Sequence, residues 1–169
     1  IAKMGAQTLN EICEIGMPVV IINTENNEEP TCEYVTAPEG AAGQSITNAT
    51  KVPCSITIRL HDEILYESGI YKADSSGATI KIRGNTSATL QIKPYKLKLE
   101  KKADLLMRNN DSKYKDKEFL LLIAHKNQLR TYVGFSLNEI IDMPYKPSLR
   151  PVNVFLNDKY AGLYYLAES

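Results

Sequence analysis

The sequence lacks the residues and motifs that mark the common metal and nucleotide sites. Its three cysteines form no Cys-x-x-Cys pair and it has only two histidines, so no metal site is expected. It has no Walker-type phosphate loop, no Gly-x-Gly-x-x-Gly after a strand, and no His-Arg-Asp or Asp-Phe-Gly triplet. Gly-x-Ser-x-Gly and His-Glu-x-x-His are also absent, which argues against the common hydrolases and metalloproteases.

Long apolar runs and net charge are missing as well. No run approaches the roughly 18–20 apolar residues of a membrane helix, so no membrane span is expected. The formal net charge is zero, which argues against a general polyanion binder, and we expect no nucleic-acid partner. The charge is nevertheless uneven, with 4 Lys/Arg against 11 Asp/Glu in residues 1–80 and 16 against 9 in residues 81–169. An anionic ligand would therefore bind the second half.

What the sequence does contain is the pattern of a β-rich domain with a core. The chain has 169 residues, 43% hydrophobic and 24% charged, which is a globular composition. Alternating or β-branched runs predict strands at 18–24, 54–60, 66–71, 78–84 and 94–100. The continuous apolar run 117–125 is typical of a strand covered on both faces. A final hairpin is predicted around the polar turn Asn157-Asp158-Lys159.

One long helix is predicted between these strands. Over 127–142, apolar residues recur at helical spacing, Asn127 is a suitable N-cap, and Pro144 ends the segment. Arg130 would lie in the first turn, where a cation opposes the helix dipole and hints at an anionic partner. The order of strands, helix and strands predicts an α+β fold with a mainly antiparallel sheet and one long helix.

The segment with most functional interest is the basic pair of strands 78–84 and 94–100. If they are neighbours, one sheet face carries four cations: Lys81, Arg83, Lys96 and Lys98. Such a face suits a polyphosphate, because cations make strong charge-assisted bonds to phosphate oxygens. The alternative is a solvated face, or lysines that protect an edge strand from aggregation.

Cysteine usage leaves the compartment open. Cys13, Cys32 and Cys54 all lie in the first third of the chain. Cys32 and Cys54 could form a bridge across a long loop in an exported protein, and three unrelated thiols fit the sequence equally well.

Five segments in order give the chain a family resemblance. They are RGNTS (83–87), KPYKLKL (93–99), EFLLLIA (118–124), QLR (128–130) and VNVFLNDKYAGLYYLAE (152–168). Together they resemble the spore coat protein H (CotH) kinase family over residues 78–169. The resemblance implies an atypical secreted or surface protein kinase of bacteria that uses ATP and Mg²⁺, with a surface or coat protein as substrate.

The resemblance also implies site residues. The nucleotide-binding residues would be Arg83, Lys93, Lys96, Arg130 and Glu168. The four cations would contact the nucleotide phosphates, and Glu168 would lie near the connection between two lobes. In the family the metal-binding and catalytic acids lie in a second lobe after the final hairpin. We therefore expect no catalytic residue within this chain and an inactive fragment, truncated at its C-terminus.

The expected organisation is a β-rich region at 1–77 followed by a CotH-like segment of the N-terminal lobe at 78–169, in one continuous domain. An alternative function also fits the sequence. A non-catalytic, β-rich cell-surface binding or adhesion module could use the same basic face to bind an acidic glycan or a partner protein.

Overall fold

The structure is a computed structural model that describes residues 9–36, 39, 44–109, 111–124, 133–134, 136–137, 140–141 and 148–169. A short helix, α1, is followed by ten strands. The elements are α1 Leu9–Cys13, β1 Val19–Thr24, β2 Glu33–Val35, β3 Ser45–Thr47, β4 Val52–Leu60, β5 Glu63–Glu67, β6 Ala78–Ile82, β7 Tyr95–Ala103, β8 Asp116–Ile123, β9 Leu149–Leu156 and β10 Lys159–Glu168.

Seven of these strands form a closed barrel. The strand order is β1-β9-β10-β8-β7-β6-β4, and β4 pairs again with β1 to close the ring. All the pairs are antiparallel except β1 with β9. Strand β4 is long enough to pair with β6 near its start and with β5 near its end. β2 and β3 form a separate two-stranded sheet.

Alternation along the strands fills the barrel with apolar side chains. Successive residues of a strand point to opposite faces, so every second residue of β4 lies inside. The buried core is assembled this way from every barrel strand, and Leu105 and Leu106 from the β7–β8 connection join it. Outside the barrel, Ile12 of α1 packs with Val19 and Phe155 in a small second cluster.

The predicted α+β class with one long helix is wrong. The described residues are mainly strand and contain no helix of seven or more residues. Alternation shows that one face of each strand is buried, but an open sheet covered by a helix and a closed barrel give the same pattern. Here the buried faces cover one another across the barrel. The predicted helix 127–142 lies largely outside the described residues. Within that range the structure describes residues 133–134, 136–137 and 140 as helical.

Most predicted strands are confirmed, with shifted boundaries. The strand predicted at 66–71 is β5, which ends at Glu67. The final hairpin turns on Asn157 and Asp158, with positive φ angles of 49° and 62°. Asn and Asp tolerate this left-handed conformation, which two-residue hairpin turns require. The Asn157 Oδ1 atom accepts bonds from the Thr24 backbone N–H at 2.8 Å and hydroxyl at 3.0 Å, which ties the hairpin to the end of β1.

Cys32 and Cys54 are free thiols, so the bridge considered between them is not formed. Burial in the barrel interior raises the pKa of Cys54 to about 12. None of the helices in the described ranges has the length and apolar content of a membrane span.

Candidate functional site

A basic groove of about 100 Å³ lies on the outer wall of the barrel. It is lined by the residue before β4 and by residues of β6, β7 and β8: Lys51, Thr79, Lys81, Lys96, Lys98 and Glu118. Four ammonium groups thus surround a groove with a single carboxylate. The excess of positive charge makes it a candidate site for an anion.

The register of the strands produces this concentration of charge. Lys81 of β6 lies directly opposite Lys96 of β7, and Thr79 lies opposite Lys98. Their neighbours Ile80 and Leu97 point into the core, so the lysines point outward. Like charges placed directly opposite on neighbouring strands are destabilising. An anion bound between them would remove that cost.

The position of β7 within the sheet excludes one alternative explanation of its lysines. Lysine often protects an unpaired strand edge from aggregation. Here β7 is hydrogen-bonded to β6 on one side and to β8 on the other, so it has no free edge. The two interpretations that stay open for this face are solvation and anion binding.

The groove contains one ion pair among the described residues. The Lys96 Nζ atom lies 2.7 Å from the Glu118 Oε2 atom, and 26% of the lysine side chain and 42% of the glutamate side chain are exposed. The hydrogen bond from Lys96 lowers the pKa of Glu118, and the charges of Lys96 and Lys98 lower it further. Glu118 is therefore ionised at neutral pH.

Lys93, predicted to contact phosphate, is engaged within the protein. Its ammonium group donates to the Tyr34 hydroxyl at 2.9 Å and to the Ala88 carbonyl at 2.8 Å. The Tyr34 hydroxyl also donates to the Ala88 carbonyl at 2.9 Å. Lys93 therefore joins the β2–β3 sheet to the β6–β7 connection. Arg83 begins that connection, and its backbone N–H donates to the Pro94 carbonyl at 3.0 Å.

Glu168 belongs to a different group, at the other end of the barrel. Its Oε1 atom lies 2.7 Å from Nη1 of Arg108, in the β7–β8 connection. The Arg108 Nε atom lies 3.3 Å from Oδ1 of Asp104, whose side chain is fully buried. The Arg108 guanidinium also covers the Tyr114 ring at 4.4 Å and donates to the Tyr114 carbonyl at 3.1 Å. We call these four residues the Arg108 cluster.

The predicted nucleotide-binding residues that the structure describes lie in three places, with Arg83 and Lys93 together in the β6–β7 connection. Lys96 points outward from the barrel wall, Lys93 lies in the β6–β7 connection, and Glu168 lies beside the β7–β8 connection. These two connections are at opposite ends of β7. Arg130 lies outside the described residues. A nucleotide-binding role for each residue stays a prediction.

Three residues of interest were missed from the sequence. Lys51 lines the groove because β4 pairs with β6. The sequence analysis considered only the pair of strands that form β6 and β7, so it did not include Lys51. Glu118 joins through the pairing of β7 with β8. Arg108 lies between the predicted strands 94–100 and 117–125, in the β7–β8 connection. The only signal there was the i,i+4 spacing of Asp104 and Arg108 around two leucines.

The groove fits the phosphate groups of a nucleotide better than it fits a metal ion. Its donors are ammonium groups and one threonine hydroxyl, which bind phosphate oxygens and repel cations. Within the described part of the chain, no three His, Cys, Asp or Glu side chains come together as a metal-binding group.

The Arg108 cluster is expected to support the fold. Replacing Arg108 with methionine removes the counter-charge of the buried Asp104 carboxylate, which keeps the hydrogen bond from the backbone N–H of residue 108. The substitution should lower the free energy of unfolding by about 3–5 kcal/mol in urea denaturation. Lys113→Met is the matched control, because the pair of Lys113 with Asp111 in the same connection is exposed and should contribute little. Equal stability of the two variants would contradict a structural role for the cluster.

Comparison with known proteins identifies the family. The model of the family described as "CotH kinase protein" matches residues 80–169, just over half of the chain. The matched range runs from β6 through β10, and so includes Lys81, Lys96, Lys98 and Glu118 of the groove. No curated protein and no solved structure matches the chain. The chain belongs to the CotH kinase protein family.

Proposed function

We propose that this domain binds the phosphate groups of ATP in the basic groove, as part of an ATP-dependent protein kinase. The observation that carries the proposal is the groove itself, which is lined by Lys81 of β6, Lys96 and Lys98 of β7, the residue before β4 (Lys51) and one carboxylate. Membership of the CotH kinase protein family supports a nucleotide as the anion. The lysines of β7 cannot be explained as edge protection, because this strand is paired with β6 on one side and with β8 on the other.

Lysine side chains would supply electrostatic stabilisation in this site. Phosphoryl transfer depends mainly on positioning and on neutralising charge on the phosphate oxygens. Lys51, Lys81 and Lys98 would hold those oxygens, and Thr79 would donate a hydrogen bond. ATP supplies the phosphoryl group when bound, and Mg²⁺ neutralises further charge. The family resemblance assigns the acids that hold the metal to a second lobe, so we propose nucleotide binding for these residues and transfer for the whole protein.

The proposed acceptor is a serine or threonine hydroxyl of a protein on the cell surface or spore coat. This substrate and a secreted or surface location in a bacterium rest on the family resemblance. The competing proposal is the non-catalytic surface module, in which the same groove would bind an acidic glycan. The mainly β architecture favours neither proposal over the other.

Charge removal in the groove should weaken ATP binding. In calorimetric titrations of the 169-residue chain, Lys81→Gln and Lys98→Gln are each expected to raise the Kd for ATP about three- to tenfold, because each removes a charge-assisted hydrogen bond. Lys72→Gln is the matched control, since Lys72 is an exposed lysine outside the groove. Binding should weaken as salt is added.

Two results would overturn this proposal. One is the absence of ATP binding at low salt. The other is equal loss of affinity in Lys72→Gln and in the groove variants. Tighter binding of a sulfated oligosaccharide than of ATP would favour the surface module instead.

Phosphoryl transfer is tested on the full-length protein. Incubation with labelled ATP, Mg²⁺ and a Ser-rich coat-type protein is expected to label the substrate, and the Lys81→Gln/Lys98→Gln double variant should label it more slowly by raising KM for ATP. Full-length Lys72→Gln should label it at the wild-type rate. If wild-type protein leaves the substrate unlabelled, the kinase proposal fails even where ATP binds.

A further inference from the structure

We propose that Glu118 is a built-in counter-ion that competes with ligand phosphates for Lys96 and so sets the affinity of the groove. The inference rests on the proposed function, because it assumes that the groove binds phosphate. It assigns a role in setting affinity to a residue of β8 that makes no phosphate contact of its own.

The geometry places Glu118 within reach of two of the four lysines. Glu118 lies directly opposite Lys98 across the β7–β8 pair, while Lys96 lies opposite Leu120. The carboxylate nevertheless contacts Lys96, at 2.7 Å along the diagonal. Diagonal neighbours on one sheet face are within reach of long side chains. Without a ligand, the carboxylate therefore holds Lys96 and also faces Lys98.

The exposure of the pair shows that it can be broken. Both side chains are partly exposed, at 26% for Lys96 and 42% for Glu118, and exposed ion pairs contribute little net stability. The Arg108 cluster is the opposite case, because its Asp104 side chain is fully buried and its guanidinium contacts three residues. An incoming anion can therefore displace Glu118 from Lys96.

Displacement has a cost that the ligand must meet. A phosphate that binds Lys96 replaces the carboxylate and then lies near its negative charge, since β8 holds Glu118 beside β7. Two like charges held close together repel each other even in water. Removing this charge should strengthen anion binding, a direction that damage to the fold would not produce.

The test compares Glu118→Gln with wild type in titrations of ATP and of inorganic pyrophosphate. Glu118→Gln is expected to lower the Kd for both about three- to tenfold at low salt, and the gain should shrink as salt is added. Glu63→Gln is the matched control, because Glu63 is an exposed glutamate on β5 outside the groove. A gain in affinity for both ligands shows that the effect is on phosphate binding. A gain in affinity for ATP alone contradicts the proposal.

A double-mutant cycle tests whether Glu118 acts through Lys96. In the Lys96→Gln background, Glu118→Gln should give a smaller gain, because there is no longer an ammonium group to compete for. An equal gain in affinity in both backgrounds would contradict competition for Lys96, because it would show that the carboxylate acts on the anion by repulsion alone.

The remaining outcomes separate this inference from the proposed function. Suppose that wild type binds ATP, that Lys81→Gln weakens this binding and that Glu118→Gln leaves it unchanged or weaker. The inference about Glu118 then fails, and the proposal that the groove binds ATP is retained. If neither wild type nor Glu118→Gln binds ATP or pyrophosphate, both fail.

Discussion

Closure of the barrel by pairing of β1 with β4 is the constraint on which the other features depend. Without it, β1 and β4 would each have a free edge. With it, the inner face of every barrel strand contributes to the core, and the outer face carries the polar and charged residues. The lysines of β7 lie on this outer wall, on a strand whose edges are covered by β6 and β8.

Charged side chains have different roles on the outer wall of the barrel and at its end. In the Arg108 cluster a guanidinium joins a buried aspartate of one connection to the last residue of β10, and every contact is short and internal. In the groove four ammonium groups share one partly exposed carboxylate. The first arrangement stabilises the fold, and the second leaves positive charge available to a ligand. This difference separates Glu168, which the family resemblance suggested for the nucleotide, from Lys96.

Sequence patterns predicted the local structure well and the long-range structure poorly. Alternation located most strands, and the Asn157-Asp158 turn followed from residues that tolerate positive φ. The outward direction of Lys81, Lys96 and Lys98 also followed from alternation. Barrel closure was missed because pairing of β1 with β4 and β9 joins segments far apart in sequence. Lys51 and Glu118 were missed for the same reason, and the α+β class was wrong because no pattern in one strand reports what covers it.

The central claim is that phosphate binds on the outer wall, and NMR mapping tests it most directly. Tripolyphosphate would be titrated into the ¹⁵N-labelled chain while backbone amide shifts are followed. The account predicts that the largest shifts occur in β6 and β7, at residues 79–81 and 96–98, and at Glu118. Shifts concentrated around Arg108 and Glu168, or around Lys93, or no shifts at all, would contradict it.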